Sequence, residues 1–196
     1  MAKTLDQIRW FLRSETAHAH RTLDTRIDTL DLAAADEYAT FLQVSHRGLG
    51  GVEAALDDFG VGTIFPDWPQ ARRIPCLERD MAALGLAVSP TAPAWPVTTP
   101  CEALGALYVI EGSRLGNRIL LDRAARSGDA RVKGNLRYLS HGHHLPFWRN
   151  LLQIMEDRVT DQSDFATARA GALRAFDVFI AAATIMIPDH SERCAT

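Results

Sequence analysis

Cysteine is scarce in this chain, and the little there is forms no pattern. Cys76, Cys101 and Cys194 are odd in number and scattered, with no CxxC pair. That argues against a secreted disulfide framework and against a zinc ribbon. Long hydrophobic runs are also missing. The longest uncharged apolar stretch, Val178 to Pro188, is too short to span a bilayer, and the N-terminal MAKTLDQIRWFLRSE lacks the apolar core of a signal peptide. The cytoplasm is the compartment these absences point to. Neither sign of charge dominates: Lys+Arg 21 against Asp+Glu 24 gives a net charge of -3, so no basic field draws the chain to nucleic acid or anionic lipid. No GxSxG, HExxH or Walker glycine loop is found, which leaves hydrolase, zincin and nucleotide-triphosphatase readings without support. A helical di-iron site needs Glu-x-x-His pairs on two core helices, and no such set is found.

What remains is an ordinary globular composition, 47% hydrophobic and 23% charged over 196 residues, with room for one domain spanning 1–196. A chain of this length buries about 70% of its unfolded surface and needs no disulfide or structural metal to fold. Helical periodicity dominates, and no alternating run of β-branched residues is long enough to build a sheet. The fold class is therefore all-α, with five to seven helices. Helices are expected over 4–23, 34–58, 74–85, 100–127, 144–159 and 163–187. Proline at 100, after Thr98 and Thr99, suits a helix start. Gly48, Gly50 and Gly51 inside the second helix predict either a kink or a close packing point. SPTAPAWPVTTP is a loop, and the cysteines read as small core residues.

Two segments carry chemistry. In the first helix, at about 100° per residue, His20 lies about 20° from Arg13 and about 40° from Thr16, at the border of the stripe made by Leu5, Leu12, Leu23 and Ile27. His18 falls about 200° away, on the wetter face. Asp24, four residues on, can accept a hydrogen bond from one ring nitrogen and leave the other free to ligate a metal. Spacing alone fits equally a half-buried histidine with a carboxylate neighbour. The second segment, ALGALYVIEGSRLGNRILLDRAAR, reads as helix yet carries Gly105, Gly112 and Gly116 on one face. Each interior glycine costs about 1 kcal/mol relative to alanine. Something requires bare backbone there: either a closely packed helix, or a flat ligand against a helix that bends at Gly112, Ser113 and Gly116.

Together these segments resemble the heme oxygenase family, in particular the bacterial members that accompany bacteriophytochromes. The similarity lies in LRSETAHAH (Leu12 to His20) and GALYVIEGSRLGNRIL (Gly105 to Leu120), with ARRIPCLERDMAALG and WRNLLQIMED in the expected order. The resemblance implies a helical fold with heme sandwiched between a proximal and a distal helix. It implies His20 as the proximal iron ligand, Gly112, Ser113 and Gly116 as distal catalytic positions, and Arg13 near a heme propionate. Thr16 and Asn117 complete the implied heme contacts, and Ser113, Arg114 and Asn117 are the candidates to hold a distal water. Heme is then both cofactor and substrate, opened with O2 and external electrons to biliverdin, carbon monoxide and ferrous iron. A ferredoxin or flavoprotein reductase is implied as the electron donor, since nothing here resembles a flavin or nicotinamide fold. A bacteriophytochrome is the implied downstream partner.

Two departures stand out: Asn117 replaces a second glycine after Gly116, and HGHHLPFW replaces a tyrosine-glycine stretch. They motivate an alternative in which the same fold serves as a non-degrading heme carrier, sensor or interaction protein. His141, His143 and His144 read as a solvent loop or a metal chelate.

Overall fold

The computed structural model describes residues 7–88, 90–93 and 95–187. Among these the secondary structure is entirely helical: α1 (Gln7–Glu15), α2 (Ala17–Ile27), α3 (Ala35–Phe59), α4 (Trp68–Ala71), α5 (Ile74–Ala83), α6 (Pro100–Ala124), α7 (Ala130–Lys133), α8 (Arg137–Ser140), α9 (Phe147–Arg158) and α10 (Gln162–Met186). The expected five to seven helices become ten helical segments because α4, α7 and α8 are single turns, too short to leave a periodic signal.

The helix ends follow local chemistry. Thr99 accepts from the Glu102 amide ahead of Pro100, which opens α6, and Asp161 and Asp164 form a reciprocal capping box on α10. Gly60 closes α3 in the left-handed region at φ 75°, which glycine adopts without strain. All but the first of the expected helices keep their boundaries to within three residues. The largest shifts are the helix expected to run to 127, which stops at Ala124, the one expected from 144, which starts at Phe147, and the one expected to run to 85, which stops at Ala83.

The helix expected over 4–23 needs more correction. Residues 4–6, Leu5 included, lie outside the described residues, and the remainder divides at Thr16 and continues to Ile27. At the division the Thr16 hydroxyl donates to the Leu12 carbonyl at 2.7 Å, and the backbone at Thr16 leaves ideal helix geometry at φ −100°, ψ 1°. In α3 the opposite holds. The helix runs unbroken, and its glycines are packing points: a Cβ at Gly51 would press on the Ala92 carbonyl, and one at Gly48 on the Phe179 ring. The proline-rich segment is thus laid directly on α3, where the Ala92 amide donates to the Arg47 carbonyl at 2.9 Å. Cys76 and Cys101 are half-buried rather than core residues, and Cys194 lies outside the described residues.

The core is one apolar cluster to which nearly every helix contributes. At its centre α10 packs along α6, and its other sides meet α3 and α2. Two reciprocal glycines set that spacing. A Cβ at Gly105 would overlap the Ala168 carbonyl of α10, and one at Gly171 would overlap the Glu102 carbonyl of α6. Gly105→Ala should therefore destabilise the protein by about 1–3 kcal/mol through overpacking, despite alanine's better helix propensity. A urea denaturation midpoint unchanged or raised would contradict this.

Candidate functional site

α2 and α6 both pack against α10. Among the described residues α2 buries no side chain completely, although Leu23 and Ile27 lean on the core. Hydrogen bonds join α6 to the chain on either side of α2. Upstream, the Tyr108 hydroxyl of α6 reaches the Arg9 carbonyl of α1 at 3.5 Å. Downstream, Arg123 of α6 pairs with Asp28 at 2.9 Å and donates to the Leu30 carbonyl at 2.6 Å. Arg13 lies on α1, Thr16 at its junction with α2 and His20 on α2, while Gly112 and Gly116 lie on α6.

His20 has its side chain 62% exposed, outside the core. Its ring meets Phe176 of α10 edge-on, with centroids 5.8 Å apart. Nδ1 lies 3.2 Å from the Asp24 carboxylate, one helical turn on. That contact favours the Nδ1–H tautomer and leaves the Nε2 lone pair free, the arrangement a metal-ligating imidazole needs. The Asp24 carboxyl is itself held above its usual range by burial, with His20 pulling the other way. His18 is exposed and separate from this contact.

Arg13 stacks its guanidinium over the exposed Trp10 ring at 5.3 Å and pairs with no carboxylate among the described residues. It lies within electrostatic reach of the Tyr108 phenol on α6, so it belongs to the α6 side of α1. Thr16 is buried, and its hydroxyl donor is committed to Leu12. Its effect is on the angle between α1 and α2.

The three glycines expected to share one purpose have three different surroundings. Gly105 serves the α10 contact already described. Gly112 faces the edge of Trp148, where a Cβ would lie 3.4 Å from the ring, and Trp148 in turn packs on Tyr108 at 5.3 Å. Gly116 faces open space, with nothing within 4 Å of a Cβ. On either side of it Leu115 and Ile119 are 47% and 66% exposed, which leaves an apolar face on α6 without a partner. A flat apolar ligand fits this donor set: bare backbone at Gly116, flanking aliphatic side chains, one free imidazole nitrogen and one uncommitted guanidinium.

The side chains expected to hold a distal water turn elsewhere. Ser113 donates to the Ile110 carbonyl at 2.8 Å and accepts from Arg73 Nη2 at 3.0 Å. Arg114 is buried and grips both Glu111 oxygens, at 2.6 and 3.0 Å. It also donates to the Ala71 carbonyl and to the His141 carbonyl at 3.0 Å, and its guanidinium lies over the Phe147 ring. Asn117 is buried on the same stripe of α6 as Ile110 and Arg114, about 100° around the helix from Gly116. Behind α6, then, lies a polar network of Arg73, Arg114, Glu111, Ser113 and His141. Sequence reading missed its chief member, Arg73. The available signal was the charged pair Glu111 and Arg114 inside an otherwise apolar helical stretch, which demands buried partners.

The histidine stretch is part of this network rather than a chelate. Arg114 Nη1 lies 2.9 Å from His141 Nδ1, and no metal-holding group of side chains occurs among the described residues. Burial first, and the Arg114 charge second, push the His141 imidazole down to about 4.

The fold defines a class: all-helical proteins in which a histidine-bearing helix and a glycine-bearing helix both pack on one long helix, here α10. A solved structure of the Neisseria meningitidis heme oxygenase, described in NO- and CO-bound forms, shares this fold. Its TM-score is 0.69 at 20% identity, covering 90% of this chain and 89% of that one. The curated heme oxygenase of Xanthomonas campestris pv. campestris is 35% identical over 146 residues, 74% of this chain and 87% of that protein. No family model matches the chain. On the Xanthomonas relationship, the chain belongs to the heme oxygenase family.

Two outcomes follow from the site. Gly116→Ala, unlike Gly105→Ala, should stabilise the ligand-free protein by up to about 1 kcal/mol, read in thermal or urea unfolding, because its Cβ meets nothing. His141 supplies a pH dependence. Its native value of about 4 is below the ordinary 6.5, so between these pH values the unfolded chain takes up a proton that the folded chain refuses. The contribution is therefore complete above pH 6.5 and is lost as pH falls toward 4. His141→Asn should flatten the fall in melting temperature across that window, and an unchanged slope would contradict the assignment.

Proposed function

We propose that the protein is a heme oxygenase that binds heme between α2 and α6 and opens its ring with O2 and external electrons to biliverdin, carbon monoxide and ferrous iron. One observation supports this reading: in a chain of this family, an imidazole on α2 has Nδ1 committed to Asp24, and α6 offers bare backbone at Gly116 with nothing within 4 Å of a Cβ. Bound heme supplies both the iron at which dioxygen is reduced and the ring that is oxidised.

The chain's own residues do the rest. His20 presents Nε2 to the iron, and Asp24 holds the ring orientation. Arg13, free of protein carboxylates, is aimed at a propionate. Gly112 and Gly116 leave room over the ring for a small diatomic ligand, while Leu115 and Ile119 cover its edge and exclude water. Ser113 acts through the backbone by bracing the turn that holds Gly112. Thr16 sets the angle between α1 and the helix that carries His20. Asn117, buried on the far stripe, leaves the Gly116 face open, so its substitution for glycine is compatible with turnover. In this reading a ferredoxin or flavoprotein reductase delivers electrons in the cytoplasm, and a bacteriophytochrome consumes the biliverdin. No described helix is long and apolar enough to cross a membrane.

The test is direct. Purified protein should bind hemin one to one. With reductant, oxygen and catalase present, the Soret band should decay as the red absorption of biliverdin rises and carbon monoxide is released. His20→Ala should abolish the histidine-ligated spectrum and His18→Ala should not. Gly116→Leu, which fills the space at Gly116, should block binding or misdirect the chemistry. Hemin that binds but survives these conditions unchanged would assign a carrier instead.

A further inference from the structure

α10 is narrow where it is buried. Among the described residues its buried positions are alanine or glycine with one exception, Phe176, while its other large side chains, Phe165 and Phe179 among them, are half-buried. Small side chains let α10 lie close against its neighbours, as the backbone contacts at Gly105 and Gly171 show. A phenyl ring breaks that pattern at one place, and there it meets His20. The two ring planes stand at 82° with centroids 5.8 Å apart, the geometry of an edge-to-face aromatic pair. Phe176 lies about 140° around α10 from Gly171, so its side chain is turned from the α6 contact toward α2.

The two partners of His20 differ in how firmly they are held. Asp24 sits on the same helix with its side chain 53% exposed, against 62% for His20, so water reaches both ends of that contact. Exposed pairs contribute little, because ordering two solvent-facing side chains cancels most of the attraction. The contact sets which ring nitrogen faces Asp24 and which faces outward, but it leaves the pair free to swing together. Phe176 is only 5% exposed and is already ordered within the core cluster. Its ring limits the rotation of the imidazole without any further ordering of its own.

We propose that Phe176 is a positioning residue for the iron ligand: Asp24 selects the tautomer of His20, and Phe176 fixes the plane in which Nε2 is presented. The one large side chain in the buried stripe of α10 is thus placed where the fold has to hold an exposed imidazole still. An aromatic pair contributes a factor of about two to ten to an equilibrium, and that is the share of hemin affinity assigned to the preset ring.

The inference rests on heme binding at His20, as proposed above, but its first readout needs no heme. In the ligand-free protein carrying isotope-labelled histidine, the His20 ring resonances are those missing from His20→Ala. In mildly alkaline buffer the parent should show the Nδ1–H tautomer and a ring-current displacement caused by Phe176. Phe176→Leu should move the His20 ring protons toward their free-histidine positions and keep the tautomer. Asp24→Ala should do the reverse, and the exposed His18 should respond to neither change. Hemin affinity should fall about two- to tenfold in Phe176→Leu, while Phe176→Tyr, which keeps the ring, should stay within about twofold of the parent. If Phe176→Leu does not fold, Phe176→Met, which replaces the ring with a flexible chain, carries the same comparison. Unchanged His20 shifts or unchanged hemin affinity without the ring overturns the proposal, and so does a lost tautomer, which would show a general loosening of α2. A parent that gives no histidine-ligated hemin complex would instead defeat the proposed function, and the resonance comparison would still decide whether Phe176 fixes the imidazole.

Discussion

The close backbone approach of α10 to α6 is the constraint from which the rest of the structure follows. Gly105 and Gly171 remove the two side chains that would hold these helices apart, and each presents bare backbone to the other's carbonyls. With α10 seated this deeply, its remaining surface meets α3 on one side and α2 on the other. α2 is therefore carried by α10.

α6 consequently has two characters around one axis. On one side it shows Gly112, Gly116, Leu115 and Ile119, a face with apolar carbon and bare backbone. On the far side it shows Glu111, Arg114 and Asn117, all buried, with Arg73 reaching the Ile110 carbonyl from α5. Each interior glycine weakens a helix by about 1 kcal/mol, so a segment with two glycines four residues apart needs support from outside. The network supplies it: Ser113 and Arg73 converge on one carbonyl, while Arg114 ties α6 to Ala71 and to the turn at His141. His141 is an acceptor in the network, and burial first, then the cation it accepts from, keep it neutral.

In the function proposed above, an exposed His20 is the expected state of a site that binds its ligand in a second step. Among the described residues His20 touches Asp24 and Phe176, which orient its ring while Nε2 stays accessible. Heme bound against it would cover the exposed Leu115 and Ile119 and would stabilise the folded state by mass action.

The sequence by itself determined the helical class, most helix positions, the pairing of His20 with Asp24 and the membership of Gly112 and Gly116 in a single special segment. Those properties are local: periodicity, capping and i,i+4 spacing are read from one stretch of chain at a time. The division of the first helix at Thr16 carries no such signal: a hydroxyl donating to the carbonyl four residues back is an option threonine has at many positions without breaking a helix. What only the tertiary structure decided was which neighbour each residue faces. Gly105 and Gly116 look alike in sequence, yet one meets the Ala168 carbonyl of α10 and the other meets nothing within 4 Å of a Cβ. Ser113, Arg114 and Asn117 follow Gly112 closely, yet a step of about 100° per residue carries them toward the network and away from the Gly116 face. Arg73 belongs to that network because the fold brings residues 40 apart in the chain to hydrogen-bond distance, a closure that no local pattern encodes.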